Sequence, residues 1–289
     1  DVGGSSNPTN TSNSSVTYRI SGKLAQGYVR GATVIADKIS GKGRIGNLKL
    51  DSDEVSTTSD SSAGFTLDVD YENYVIYSSG GTYLNSKGQA VPAAPMTTPS
   101  PPGNATSWNL TPLTTLVTTN PKLKNRLDAL GGWNADIASS NGVPARLLRV
   151  AKTVETYWQV TSSLTTSVAG QLKALQYLAV SFDGVWNSQN GSSTDNDNLS
   201  LISTSALANV LNDPSVIPAS SDASSVERET VLKYLQDALS EGVFKAIPNS
   251  TKTQIETNVV AEIEPANDNL TQSITSAVGK APFLTEVST

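Results

Sequence analysis

The side chains available for chemistry in this chain are carboxylates, hydroxyls, amides and tryptophans, because its 289 residues include no histidine and no cysteine. That double absence removes Ser-His-Asp and Cys-His catalysis, imidazole bases, zinc fingers, haem with a protein His or Cys ligand, and thiolate iron–sulfur clusters. Disulfides go with them. The 26 Asp and Glu residues could supply a carboxylate pair for glycoside hydrolysis, but no spacing singles out two of them. No G-x-S-x-G, S-x-x-K, GxxxxGK[ST] or D-[ST]-G occurs. Asp68, Asp70 and Glu72, and separately Asp195 and Asp197, could offer oxygens to calcium, although alternation along a strand explains the first group without metal. Of the tryptophans Trp108, Trp133, Trp158 and Trp186, Trp158 lies on the apolar stripe of a helix. Trp108 and Trp133 follow turn-rich segments, where they could stack on a sugar or cap a junction between domains.

Twenty Lys and Arg against 26 Asp and Glu give a net charge of −6. Nucleic-acid binding is disfavoured, since it needs a basic face to displace phosphate counterions. Only 16% of residues are charged, and about a quarter are Ser or Thr. A chain kept soluble by hydroxyls and amides reads as an extracellular bacterial protein. No apolar run reaches the roughly 18 residues of a membrane span, and a first residue Asp1 in place of Met suggests a signal peptide already removed. Eight N-x-[ST] sequons (Asn10, Asn13, Asn104, Asn109, Asn190, Asn198, Asn249 and Asn269) follow largely from the composition.

These residues must be positioned by two kinds of element. Residues 1–15 read as a flexible tail. From 16 to 96 the hydrophobic period is two: Val16, Tyr18 and Ile20, then ATVIA at 32–36, FTLDV at 65–69 and YVIY at 74–77, with glycines between. Short strands at such spacing predict an antiparallel sandwich. A loop at 60–64 reads as a hairpin in which Gly64 supplies a positive φ, and Gly31 reads as a point of close strand approach. Residues 97–119 form a Pro/Thr-rich connector. From 120 to 279 the period becomes 3.6. Asn120 caps a helix with Pro121 at its first position, ending at Gly131-Gly132, and Pro144 opens a second. Leu172, Leu175, Leu178 and Ala179 mark a third. Ser224 and Glu227 form a capping box for VERETVLKYLQDALSEGVF, with shorter helices at 251–263 and 268–278. SQNGSSTDNDN at 188–198 is a polar loop, and 280–289 is an extended C-terminal segment. The fold class expected is α+β multidomain, a sandwich followed by a mostly helical domain.

The ordered set GKLAQGYVRGATVIAD, VSTTSDSSAGFTLDV, YVIYSSGGTYLNSKGQ and LTPLTTLV resembles the carboxypeptidase-regulatory-like or Cna-B-like β-sandwich modules of bacterial secreted, adhesin-like surface proteins. The resemblance covers about a hundred residues and implies an immunoglobulin- or prealbumin-like sandwich. In related modules the loop after the first of these strands carries a calcium-binding acidic run. Here that loop begins at Asp37 and ends at Asp51, Asp53 and Glu54, with Lys38, Lys42, Arg44 and Lys49 between them opposing a cation. Ca²⁺ is the one cofactor considered. The Lys–Asn isopeptide bond of some such modules needs a buried lysine, and no lysine here sits in an apolar strand.

The expected function is a non-enzymatic extracellular structural protein, a filament or surface-layer subunit whose partners are copies of itself. Assembly would exchange strands through Val16, Tyr18 and Ile20, or through Phe283, Leu284 and Val287. The alternatives are an adhesin that binds glycans or surface proteins, with Trp108 and Trp133 as ligand residues, and a carboxylate-pair hydrolase.

Overall fold

The computed structural model describes residues 16–84, 88–139, 142–164, 167–188, 205–206, 208–210 and 212–216. The tail, the loop acids Asp195 and Asp197, the helices expected from residue 224 onward, and Phe283, Leu284 and Val287 lie outside the described residues.

The N-terminal region is built of antiparallel β-sheets. Strand β1 (Tyr18–Lys23) pairs with β4 (Gly64–Val69). Strands β3 (Ser56–Thr58), β2 (Thr33–Lys38), β5 (Tyr74–Ser79) and β8 (Met96–Pro99) form a four-stranded sheet in that order. Strands β6 (Thr82–Leu84) and β7 (Ala90–Pro92) form a small pair. Along β4 the buried Phe65, Leu67 and Val69 alternate with the exposed Thr66 and Asp68, as one covered face demands. Strand β2 is buried on both faces, which is why it reads as an unbroken apolar run. Its Val34 and Ala36 join Ile20, Leu67 and Ile76 in the core between the sheets. Its Ile35 points the other way with Tyr77, onto Trp158 of α3 (Ala145–Leu164) and Leu175 of α4 (Val168–Ser188). The Tyr77 and Trp158 ring centroids lie 6.5 Å apart.

Two turn expectations are corrected. The loop at 60–64 is not a hairpin, because β3 and β4 belong to different sheets and the chain crosses between them there. Asp60 Oδ1 accepts from the N–H of both Ser62 and Gly64 at 2.8 Å. The residue with positive φ is Ala63, at 61°, while Gly64 is not in that region. Gly31 does have a positive φ, +69°, but its missing Cβ faces open space. The close approach belongs to Gly81, where a Cβ would lie 2.7 Å from Arg30 O.

The Pro/Thr-rich stretch holds β8 and a helix, α1 (Pro112–Thr119), all eight residues of which are buried. Its polar side chains are four threonines, and with the N-cap Thr111 they find hydrogen-bond partners on the helix backbone and on Thr97. Thr111 caps the helix through a reciprocal box with Thr114. Thr115 and Thr118 donate to the carbonyls of Thr111 and Thr114 at 2.9 and 2.8 Å, so burial leaves those hydroxyls bonded. Asn120 closes α1, and Pro121 sits in the turn that follows, so the next helix, α2 (Leu123–Leu130), starts later than the cap signal predicts. It stops at Gly131 as expected, with φ 137°.

Candidate functional site

The expected assembly residues lie on strands, so the main-chain groups at each strand edge decide what is available. In β1 the pairing of Leu24 N–H with Ala63 O fixes which residues bond β4. Alternation then turns the main chain of Arg19, Ser21 and Lys23 to the other side. All six of those groups are satisfied within the chain by the segment 104–110, which runs beside β1 as a strap. Arg19 N–H donates to Asn104 Oδ1 and Lys23 N–H to Asn109 Oδ1. Ser21 N–H donates to Ala105 O, while Arg19, Ser21 and Lys23 carbonyls accept from Ala105, Trp108 and Leu110. Tyr18 and Ile20 are thus paired in cis, Ile20 fully buried and Val16, just before the strand, 64% exposed. Strand exchange through β1 would have to open two ladders.

The outer edge of β8 is sealed differently. Thr97 N–H donates to Thr115 Oγ1 at 3.0 Å, and Thr97 O accepts from Thr114 Oγ1 at 2.6 Å. A helix therefore supplies the hydroxyls that a missing strand would have matched. Thr115→Val leaves the Thr97 N–H buried without an acceptor and costs about 1–3 kcal/mol, to be read from urea unfolding of the two proteins. Thr115→Ser, which keeps the hydroxyl, should cost clearly less.

The outer edge of β4 differs from both. The main-chain N–H and C=O of Thr66 and Asp68 point away from β1 by the same alternation, and no backbone partner meets them among the described residues. Both side chains are exposed, and Asp68 is joined across the strands to Arg19 at 2.8 Å.

The four acids of the loop after β2 divide. Asp37 is fully buried at the end of β2. Its Oδ2 accepts from Leu48 N–H at 3.0 Å, while Oδ1 has no hydrogen-bond donor. The Glu54 carboxylate lies beside it, and burial, aided by that charge, pushes the Asp37 carboxyl up to about 6. Glu54 in turn accepts from the N–H of Lys38 at 2.5 Å and of Asp51 at 2.8 Å. Asp51 takes Asn47 Nδ2 at 2.8 Å, and Asp53 pairs with Lys38 Nζ at 2.7 Å. Asp37 and Glu54 are brought together; Asp53 turns to the lysine. Among the described residues no group of three or more acidic side chains is placed to hold a metal ion.

Trp108 and Trp133 meet edge to face with centroids 5.3 Å apart. Trp133 is buried, and the Trp108 indole N–H donates to Pro99 O at 2.7 Å. The pair ties the end of β8 to the strap and to the turn after α2. Of the sequons, Asn109 is buried and its Nδ2 donates to Asn134 O at 2.9 Å, so it cannot carry a glycan in this fold. Peptide mapping of protein expressed in a glycosylating host should find Asn109 unmodified.

Among the described residues no helix is long and apolar enough to cross a membrane. No protein-family model, no curated protein and no solved structure matches the chain.

Proposed function

We propose that the protein is a non-enzymatic extracellular structural subunit that assembles with copies of itself, by adding a neighbour's strand to the outer edge of β4. The finer architecture belongs to the same reading: an immunoglobulin- or prealbumin-like sandwich followed by a mostly helical domain, on the outside of a bacterial cell. The observation that carries it is the contrast between edges. The chain covers β1 with the strap and β8 with the threonines of α1, while Thr66 and Asp68 keep outward-facing main-chain groups. Exposed edges template strand addition, and proteins that avoid it cover them. The donor is 283–287, a short apolar run after the helical stretch, FLTEV, long enough to pair as one strand.

Asp68→Pro tests this. Proline removes an N–H that faces away from β1, so the β1–β4 ladder is kept; the exposed Arg19 ion pair is a small loss. Negative-stain microscopy should show ordered polymers for the wild type, and dispersed particles for Asp68→Pro and for a chain lacking 280–289. Dispersed wild-type particles across salt and Ca²⁺ conditions would sink the reading. Polymers indifferent to Asp68→Pro would move assembly to another surface.

A further inference from the structure

A groove of about 620 Å³ opens where β1 and β4 meet the strap, the crossing at 60–64 and Asp136. That volume falls in the usual range of small-molecule sites, roughly 300–1,000 Å³. We propose that this groove binds a neutral oligosaccharide, an activity beyond assembly, although Thr66 belongs to both the groove and the β4 edge.

The chemistry of the lining selects the ligand class. Ser21 and Thr66, whose hydroxyls lie 3.0 Å apart, form the floor, and Ser107 stands exposed on the strap side. Three charged residues border these hydroxyls, and each is held in place. Asp60 is pinned by the two N–H groups of its own turn. Asp136 accepts Tyr28 OH through Oδ2 at 2.6 Å and Ala138 N–H through Oδ1 at 3.1 Å. Lys23 Nζ donates to Ser62 O at 2.9 Å and lies 5.2 Å from the Tyr28 ring centroid. Carboxylates fixed by other donors keep lone pairs for ligand hydroxyls, and a fixed ammonium donates to them.

Other ligand classes fit less well. Two carboxylates against one lysine oppose an anion. An apolar ligand would cover hydroxyls without bonding them. A hydroxyl-rich neutral ligand matches every group, since each of its OH groups both donates and accepts. Tyr28, 38% exposed and bonded to the groove residue Asp136, adds an aromatic ring next to the groove, whose face suits the apolar face of a sugar ring.

The test is an array of neutral gluco-, manno-, galacto-, xylo- and N-acetylglucosamine oligosaccharides, with sialylated and uronate-containing glycans alongside, followed by calorimetry on a hit. Two variants stay off the β4 edge: Ser107→Phe, which plugs the groove from an exposed position, and Asp136→Asn, which removes a charge while keeping shape. We expect at least one neutral hit, weakened roughly ten- to a hundredfold by each variant, with thermal melting confirming that both remain folded. No neutral hit, hits confined to acidic glycans, or hits unchanged in both folded variants would each overturn the proposal. Polymerisation of the same samples is scored separately, so loss of one property leaves the other readable.

Discussion

Replacing Asp37 with Asn raises stability at pH 7 and removes a fall in stability that the wild type shows between about pH 4 and pH 6. The cause is local. Asp37 is fully buried, its Oδ1 meets no donor, and Glu54 lies beside it. Its carboxyl is raised from 3.8 to about 6, so between those values the folded state holds a proton that the unfolded chain releases. Native protein then binds more protons than unfolded protein, and stability falls as pH rises. The contribution is fully present below about pH 4 and gone above about pH 6. Two pH units at about 1.4 kcal/mol each set an upper bound near 3 kcal/mol, and solvent access to the loop places the expected gain at roughly 1–3 kcal/mol. Asn keeps an acceptor for Leu48 N–H and turns its amide donor to Glu54. Urea unfolding at pH 4 and pH 7 reads the effect: the two proteins should nearly coincide at pH 4 and separate at pH 7. Equal stability at both would mean that Asp37 is not held as described. Adding Ca²⁺ at pH 7 extends the measurement to the metal reading of this loop. Calcium that engages Asp37 raises the wild-type midpoint and leaves the Asn variant unmoved; a midpoint that ignores calcium removes that reading.

Asp37 also shows what a sequence can and cannot carry. An acid at the end of an apolar strand, followed by a basic loop and D-x-x-E, was legible. Its burial was not, because that depends on the loop folding back so tightly that a Cβ on Gly46 would lie 2.3 Å from Asp37 Oδ1. Strands β1 and β4 were legible from their period of two, β2 and β5 from β-branched and aromatic apolar runs between glycines, and α2 to α4 from apolar spacing, with glycine or proline boundaries at α2 and α3. Pairing was not. A strand–loop–strand pattern at 56–69 looks like a hairpin whether or not its strands share a sheet, and here they do not. Helix α1 was hidden for a different reason. Four β-branched threonines and a valine in eight residues weigh against helix in any propensity sum, and only the back-bonding hydroxyls with the cover over β8 make the helix fit. The groove drew on residues from 21 to 136, a separation no local pattern spans.

Gly22→Ala should cost roughly 2–4 kcal/mol, far more than an alanine at most strand glycines, and should change how the protein associates. The added Cβ would lie 2.1 Å from Trp108 O and 2.5 Å from Trp108 C. Those atoms belong to backbone held by the Trp108 N–H bond to Ser21 O and, on either side, by the Ala105 and Leu110 bonds. No rotamer change relieves the clash, so the strap must move off β1. Moving it unpairs the main chain of Ser21 and its neighbours and turns a covered edge into an exposed one. Gly31→Ala is the matched control. Its Cβ meets open space, so only the strain of a positive φ remains, about 1 kcal/mol. Guanidinium unfolding measures the cost, and light scattering against concentration measures association. In a background lacking 280–289, Gly22→Ala should associate where the parent and Gly31→Ala stay dispersed, because the uncovered edge of β1 can pair head-to-tail with the open β4 edge of a neighbouring copy. A Gly22→Ala protein that is destabilised yet dispersed would show that the strap only packs, and that covering an edge is not its role.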